Sequence, residues 1–312
     1  MTLLLLLSSR PLVGKTTVAT ALALALRQRG QRAGLLRLPG DEGAASDAEL
    51  FARLGLAASG DARQPLELPD AVQRGASLDI LIVEAPAGEL PAEWQSLGAR
   101  AILVARYPEL TESSLASLSQ ELGEAFLGTV ATCVPRRRQE QARQSLEEAG
   151  LRPLALLVED RTLASPTLDQ LAGALEAETL FAERHRDDVL DRVYISSIAA
   201  DPGQGYFSRL DPKAIIVRSD KPDHQLAALN VGVPCLIISG DLPILSYVLQ
   251  RAEEDEVPLL LTRLETVDVA RRLEELIGAV RLAGDEKARR AAHLLSAAVP
   301  PETLLSLAGA AG

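Results

Sequence analysis

Short apolar runs alternate with segments of helical periodicity through the first half of the chain. Between the runs, apolar residues recur every three or four positions, which is the spacing of one helix face. Strands that alternate with helices form right-handed β-α-β units and predict a parallel sheet covered on both faces. The predicted strands are Leu3–Leu7, Ala33–Leu38, Ile80–Val83, Ala101–Val104, Gly128–Cys133 and Leu154–Val158; the predicted helices are Thr16–Gln28, Ala45–Leu54, Leu115–Leu122 and Gln139–Glu148.

The same alternation resumes at a smaller scale after a charged segment. Ala164–Leu180 is predicted as the last helix of the first domain, and the charged residues after it lack apolar periodicity. We therefore expect an α/β domain at 1–182, a solvated linker at 183–192, a smaller α/β domain at 193–282 and a tail at 283–312 with a mobile Ala/Gly end. In the smaller domain the predicted strands are Val193–Ile198, Ala214–Val217, Cys235–Ile238 and Leu259–Leu261, and the predicted helices are His224–Leu229, Pro243–Glu253 and Val267–Ala279.

Composition and charge exclude several classes of function. The 312 residues are 47% hydrophobic and carry a formal net charge of −11, which argues against binding to nucleic acids and to anionic membrane surfaces. The apolar run Leu3–Leu7 is shorter than the core of a signal peptide, and no run approaches the ~20 residues of a membrane span. Two cysteines are too few for a disulfide framework, so we expect a soluble, cytoplasmic protein.

A phosphate-binding loop is predicted where the first strand meets the first helix. Gly14-Lys15-Thr16 follows an apolar strand and opens a helix, which is the context that a Walker A loop requires. Backbone N–H groups of such a loop bind phosphate, the lysine reaches the β- and γ-phosphates, and the hydroxyl binds Mg²⁺. The predicted phosphate-binding residues are Ser9, Arg10, Val13, Gly14, Lys15, Thr16 and Thr17.

The loop departs from the standard pattern at three positions. Ser9 replaces the first glycine, and Pro11 and Leu12 follow it, of which Pro11 has no N–H to offer. A degenerate loop that no longer binds phosphate is therefore an open alternative. Arg10 occupies the position of the second lysine of deviant Walker A ATPases, which acts across a dimer interface. Arg10 either acts on a neighbouring subunit's phosphates in the same way or contacts its own phosphate or solvent.

Two acidic residues are candidate Mg²⁺ ligands with Thr16. Glu84 ends the predicted third strand, and the carboxyl ends of parallel strands form the ligand crevice of such sheets. A solvent-facing acid at a strand end is the alternative. Asp47 lies at the start of a predicted helix, where it is either a metal-proximal aspartate or an acid stabilised by the helix dipole.

These segments resemble the dethiobiotin synthetase-type P-loop fold. The resemblance rests on Ser8–Thr17, Ser46–Ala48 and Ile82–Gly88, and the whole order resembles the N-terminal region of long bacterial phosphotransacetylases. It implies a P-loop NTPase-like domain, and it places Thr132 and Pro135 of the 127–135 segment near the nucleobase. The segment 158–167 is similar to the Pro-Glu-Asp run of the same family.

The smaller domain resembles a DRTGG domain. The matching stretches are 215–223, 235–241 and 261–267. The resemblance implies a regulatory or dimerisation module and a homo-oligomer. Candidate ligand residues there are Arg218, Asp220, Ser239, Gly240 and Asp241, for which a tight turn is the alternative.

The leading hypothesis is a cytoplasmic, homo-oligomeric regulatory protein that binds ATP or ADP with Mg²⁺. Phosphotransacetylase activity is not expected, because the resemblance stops at about residue 280, without the acetyl-transferring domain. A second hypothesis is an ATP-dependent ligase or amidotransferase of the dethiobiotin or cobyrinate type. The substrate-binding lysine of dethiobiotin synthetase corresponds to Leu38, beside Arg37, and Thr132 replaces the base-contacting asparagine. The third hypothesis is a degenerate scaffold that only oligomerises.

Overall fold

The chain forms two compact units, one inserted into the other. The computed structural model describes residues 1–58, 64–196, 207–307 and 309. Unit 1 comprises Met1–Asp160 together with Arg281–Gly312, and unit 2 comprises Arg161–Val280. Unit 2 is therefore an insertion between two segments of unit 1.

Unit 1 is built on a six-stranded parallel sheet with the order β2-β3-β1-β4-β5-β6. The strand β1 is central and its leucines are buried, since helices cover both faces. The strands are β1 Thr2–Leu7, β2 Ala33–Arg37, β3 Ile80–Glu84, β4 Arg100–Arg106, β5 Phe126–Val134 and β6 Pro153–Val158. The helices are α1 Lys15–Arg27, α2 Ala44–Arg53, α3 Leu68–Arg74, α4 Ser113–Leu122 and α5 Gln139–Glu148, with 3₁₀ turns at Gly123–Ala125 and Arg136–Arg138.

Unit 2 contains a five-stranded sheet with the order β7-β11-β10-β9-β8, parallel except for β7 at one edge. Its elements are α6 Arg161–Ala164, α7 Leu168–Ala174, β7 Glu178–Leu180, β8 Val193–Ile195, β9 Ala214–Arg218, α8 Pro222–Asn230, β10 Leu236–Ser239, α9 Ser246–Glu254, β11 Leu259–Thr262 and α10 Thr266–Leu276. The chain then returns to unit 1 as α11 Gly284–Ala298 and α12 Pro301–Leu307. The mixed α/β class and the parallel sheet are confirmed.

The prediction of one helix over Ala164–Leu180 is wrong. Thr167 caps α7 with a reciprocal capping box to Gln170, so that helix begins at Leu168. The chain turns at Glu176, where φ is +49°, and then pairs as β7 with β11 of the second sheet. This stretch therefore belongs to unit 2 and not to the first domain.

Two further segments differ from the prediction. Within the segment 183–192, Val189 and Leu190 are buried, and Leu190 joins the unit 2 core, so the segment packs rather than serving as a solvated linker. In the predicted tail, α11 packs against α1 through buried residues that include Ala288 and Ala291. The last two residues of the predicted strand Val193–Ile198, and most of the Ala/Gly end, lie outside the described residues.

The register of the first sheet gathers five side chains at its carboxyl edge. Glu84 lies beside both Leu6 of β1 and Arg37 of β2, and Arg106 of β4 lies beside Thr132 of β5. The loop from β1 to α1 leaves the sheet at this same edge. Within the described residues, no helix has the length and apolar character needed to cross a membrane.

Candidate functional site

Two side chains from neighbouring strands donate hydrogen bonds to carbonyl groups of the loop between β1 and α1. The Arg106 guanidinium donates to the carbonyl of Leu12 at 3.2 Å, and the Thr132 hydroxyl donates to that of Val13 at 2.7 Å. Gly14 has φ of +93°, and a Cβ there would lie 3.3 Å from Thr132 Cγ2. A glycine is therefore required by both the backbone angle and the close approach of Thr132.

The backbone N–H groups at the start of α1 have no hydrogen-bond partner among the described residues. Within the described part of the chain, the backbone N–H groups of residues 13–17 donate no hydrogen bond, and the first bond of the helix runs from Val18 N to Gly14 O. Unpaired N–H groups at the start of a 13-residue helix, together with its dipole, favour a bound anion. Pro11 and Leu12, with φ of +57° at Leu12, lie before these N–H groups and do not interrupt them.

Lys15 is a buried cation at the start of α1. Its side chain is 6% exposed, and Nζ has no hydrogen-bond partner in the described structure. Burial lowers the pKa of Lys15, and the nearby Glu84 carboxylate opposes that shift. A buried ammonium without partners is costly, and a phosphate group would satisfy it.

Thr16 and Glu84 meet beside this lysine. The Thr16 hydroxyl donates to Glu84 Oε1 at 3.1 Å, while Glu84 Oε2 is buried without a partner among the described residues. Burial, together with the nearby Asp47 charge, raises the pKa of Glu84 to about 7. The alternative of a solvent-facing Glu84 is excluded, since the residue is 3% exposed.

The donor set fits Mg²⁺ bound with a nucleotide. A hydroxyl and one or two carboxylates, completed by phosphates and water, are the usual protein ligands of this ion. Across the described residues, no group of three or more His, Cys, Asp or Glu is placed to hold a metal alone. Thr16 and Glu84 would thus hold the ion together with phosphate oxygens.

Arg37 organises the acidic residues at this edge. Its side chain is 1% exposed, and Nη1 donates to the carbonyls of Leu38 and Glu84 at 2.8 and 3.0 Å. Nη2 pairs with Asp41, and Nε lies 3.5 Å from Asp47 Oδ2. Leu38 itself is buried in the core, so neither residue presents a cation to a second substrate.

Asp47 is buried and lies between two guanidinium groups. It occupies the first turn of α2 and is 4% exposed. Burial raises the pKa of Asp47, and the charges of Arg281 and Arg37 oppose the increase. Arg281 Nη1 is 3.7 Å from Asp47 Oδ2.

Arg10 is engaged within its own chain. It forms ion pairs with Glu109 and with Glu112, the latter at 3.4 Å, and the Ser9 hydroxyl donates to Glu112 at 2.5 Å. Arg10 is partly exposed, and its Nη2 pairs with Glu109 while its Nε pairs with Glu112. Glu109 and Glu112 lie about a hundred residues from the loop in sequence, so no local pattern indicates that they pair with it.

The residues predicted near the nucleobase lie at the end of β5. Thr132 is buried, and its hydroxyl also lies 3.3 Å from the carbonyl of Ala105, so it braces the phosphate loop. Pro135 is half-buried and begins the 3₁₀ turn Arg136–Arg138. Their role toward a base remains a prediction.

The candidate residues of unit 2 lie at the carboxyl edge of its sheet. Arg218 and Asp220 form a bidentate pair with each other at 2.9 and 2.7 Å. Ser239 is buried and shares a 2.7 Å hydrogen bond with Thr266. Gly240 has φ of +100°, and a Cβ there would lie 2.7 Å from Ser219 Oγ.

Asp241 is exposed in the turn that follows Gly240. These contacts fit the alternative of a tight turn as well as a ligand site. The residues of unit 2 therefore stay a prediction.

The fold defines an α/β protein with a candidate phosphate-binding loop at the carboxyl edge of a parallel sheet. Residues 170–276 match the model of the DRTGG domain family. The match lies within unit 2 and includes β7 and most of α7 as well as the strands predicted from the sequence.

The chain is also similar to several solved structures. MinD cell division protein from Aquifex aeolicus is 15% identical, with a TM-score of 0.37, over 52% of this chain and 84% of that one. A nucleotide-binding protein in complex with ADP from Archaeoglobus fulgidus is 16% identical, with a TM-score of 0.38, over 51% and 82%.

A third similar structure contains a DRTGG domain. It comprises the CBS and DRTGG domains of the regulatory region of Clostridium perfringens pyrophosphatase, complexed with the activator diadenosine tetraphosphate. It is 14% identical, with a TM-score of 0.33, over 44% of this chain and 69% of that one. None of these three TM-scores reaches 0.5.

Proposed function

We propose that this protein is a nucleotide-binding regulatory protein that binds ATP or ADP with Mg²⁺ at the loop of residues 9–17. The observation that carries the proposal is the buried, unpaired Nζ of Lys15 beside five unpaired backbone amides. A triphosphate would neutralise Lys15 and accept from these amides. Thr16 and Glu84 would hold Mg²⁺, which supplies charge neutralisation of the phosphates.

The DRTGG domain is proposed to be the regulatory or dimerisation module, in a homodimer or larger homo-oligomer located in the cytoplasm. This is the organisation implied by the resemblance to the N-terminal region of long phosphotransacetylases. A nucleotide-dependent change in assembly would be measured by light scattering with and without Mg-ATP. A mass equal to one chain under both conditions would argue against the oligomeric part of the proposal.

The two alternatives are less well supported. A ligase of the dethiobiotin type needs a cation for its second substrate, and the Arg37 guanidinium is committed to Asp41 and two carbonyls. A degenerate scaffold needs a loop without phosphate donors, whereas the departures Pro11 and Leu12 leave the amides of residues 13–17 unpaired.

Calorimetric titration with ATP and ADP, with and without Mg²⁺, tests the proposal. We expect micromolar binding that strengthens with Mg²⁺ and falls at least about 100-fold in Lys15→Met, because hydrogen bonds to charged groups each contribute about 1.5–3 kcal/mol. Lys213→Met, which removes a lysine of unit 2, is the matched control and should bind as the wild type does. Absence of binding by the wild type would leave the scaffold alternative.

A further inference from the structure

A residue from beyond the DRTGG domain reaches the candidate nucleotide site. Arg281 is the first residue of unit 1 after the chain leaves unit 2. Its Nη1 lies 3.7 Å from Asp47 Oδ2, and its side chain is 43% exposed whereas that of Asp47 is 6% exposed. A partly exposed cation thus partners a buried carboxylate.

The position of this guanidinium depends on a missing side chain. An ideal Cβ built on Gly43 would lie 1.8 Å from Arg281 Nη1 and 2.4 Å from Cζ. Gly43 has φ of −88° and ψ of −10°, which any residue adopts, so its backbone does not require glycine. A Cβ here would instead displace the end of the flexible Arg281 side chain, which lies against the residue that precedes α2.

The backbone that carries Arg281 is fixed by packing within unit 1. Three residues later the chain enters α11, where Gly284, Lys287 and Ala288 are buried. This helix packs against α1, the helix that begins with Lys15. Arg281 is thereby held close to the site by the same helix that supports the phosphate loop.

Arg281 also supplies what Arg37 alone cannot. The Arg37 guanidinium is shared among Asp41, Asp47 and two carbonyl groups. Two carboxylates, Asp47 and Glu84, therefore depend on one fully buried cation besides Lys15. A second guanidinium on Asp47 holds that carboxylate in one orientation at the edge where Mg²⁺ would bind.

We propose that Arg281 is a positioning residue for the Mg-nucleotide site, acting through Asp47, and that Gly43 is the slot it occupies. The proposal rests on the proposed function. It means that the site of unit 1 is completed by a residue that follows the DRTGG domain in sequence.

Calorimetry with ATP and Mg-ATP on the full chain tests this role in Arg281→Met, Gly43→Ala and the double variant. Gly43→Ala displaces the guanidinium without changing any charge. We expect each single variant to weaken Mg-ATP binding about tenfold, as loss of roughly 1.4 kcal/mol does, and to change metal-free ATP binding less than about twofold. The double variant should be no worse than either single one, because both remove the same contact.

Three further variants separate positioning from general stability. Arg281→Lys keeps the charge and should recover part of the Mg-ATP affinity. Arg289→Met and Gly173→Ala are the matched controls, since Arg289 pairs with Asp285 on its own helix and a Cβ at Gly173 meets open space. Urea unfolding of each variant, followed by the fluorescence of Trp94 in unit 1, identifies any variant that has lost its fold.

Several outcomes would overturn the proposal. Wild-type affinity in Gly43→Ala, additive losses in the double variant, or equal losses for ATP and Mg-ATP would each give Arg281 a merely structural role. Tighter Mg-ATP binding would show that Arg281 competes with the metal. If the wild type binds neither ATP nor Mg-ATP, the proposed function itself fails, and that result precedes any comparison of variants.

Discussion

At the scale of single residues, the site is a set of buried charges that neutralise one another incompletely. Lys15 Nζ, one oxygen of Glu84 and Nε of Arg37 are buried without hydrogen-bond partners among the described residues. Buried polar groups are normally paired, and each unpaired one raises the free energy of the folded state. A phosphate beside Lys15 and a cation beside Glu84 would pair two of these groups and lower the free energy of the folded state.

The stability of ligand-free unit 1 should depend on pH through Glu84. Burial raises the pKa of this carboxyl from an ordinary value of 4.5 to about 7. Between these values the folded state retains a proton that the unfolded chain loses, so the free energy of unfolding should fall as pH rises from about 5 to about 8. We expect a decrease on the order of 2 kcal/mol.

Urea unfolding followed by Trp94 fluorescence measures this dependence, because the chain has one tryptophan and it packs against the core of unit 1. Glu84→Gln, which keeps the shape and cannot ionise, should flatten the profile. A wild-type profile that is already flat, or that rises with pH in this range, would contradict the raised pKa.

At the scale of elements, periodicity was sufficient where strands are long and fully buried. The six strands of the first sheet were predicted because parallel strands covered on both faces are continuous apolar runs. The stretch 164–180 was predicted wrongly because its apolar spacing suits a helix, whereas the capping box at Thr167 and the turn at Glu176 break it into α7 and β7. Such signals are local and weak, and the pairing of β7 with β11 is set by residues eighty positions away.

The same contrast holds for the site. Gly14, Lys15 and Thr16 were predicted because the phosphate loop is contiguous in sequence. The partners of Arg10 and the approach of Arg281 to Asp47 depend on tertiary packing across large sequence separations, and no periodic or local signal encodes them.

The start of α7 provides an element-scale prediction. The Thr167 hydroxyl accepts from Gln170 N, and the Gln170 side chain accepts from Thr167 N. Thr167→Ala removes one half of this capping box and should destabilise unit 2 by about 1 kcal/mol. Hydrogen exchange of the amides in 168–174 measures the effect, with Ser145→Ala, on the exposed surface of unit 1, as the control. Unchanged exchange at α7 would contradict the role of the cap.

At the scale of the whole molecule, unit 1 is assembled from two segments that are 120 residues apart in sequence. The helix α11 closes one face of α1, and Ala291 is fully buried there. The C-terminal segment therefore packs against the helix that follows the loop of residues 9–17.

A charge placed between α11 and α1 should destabilise unit 1 and thereby weaken Mg-ATP binding. Ala291→Asp places an uncompensated carboxylate in the packed face of α11 and should cost more than about 2 kcal/mol of unit 1 stability. Trp94 fluorescence during urea unfolding would show the loss, and Mg-ATP affinity would fall with it. The exposed residue Arg289 of the same helix gives the control. Arg289→Asp should change the free energy of unfolding by less than about 0.5 kcal/mol.

The insertion of unit 2 also has a consequence for how the protein is made. A ribosome releases the chain from its N-terminus, so all of unit 2 leaves the ribosome before the helix that covers α1 does. Unit 2 is a continuous stretch of sequence, whereas unit 1 also needs the residues from Arg281 onward. A nascent chain therefore presents unit 2 while unit 1 is incomplete, and under the proposed function the ability to hold a nucleotide would mark a chain from which α11 has emerged.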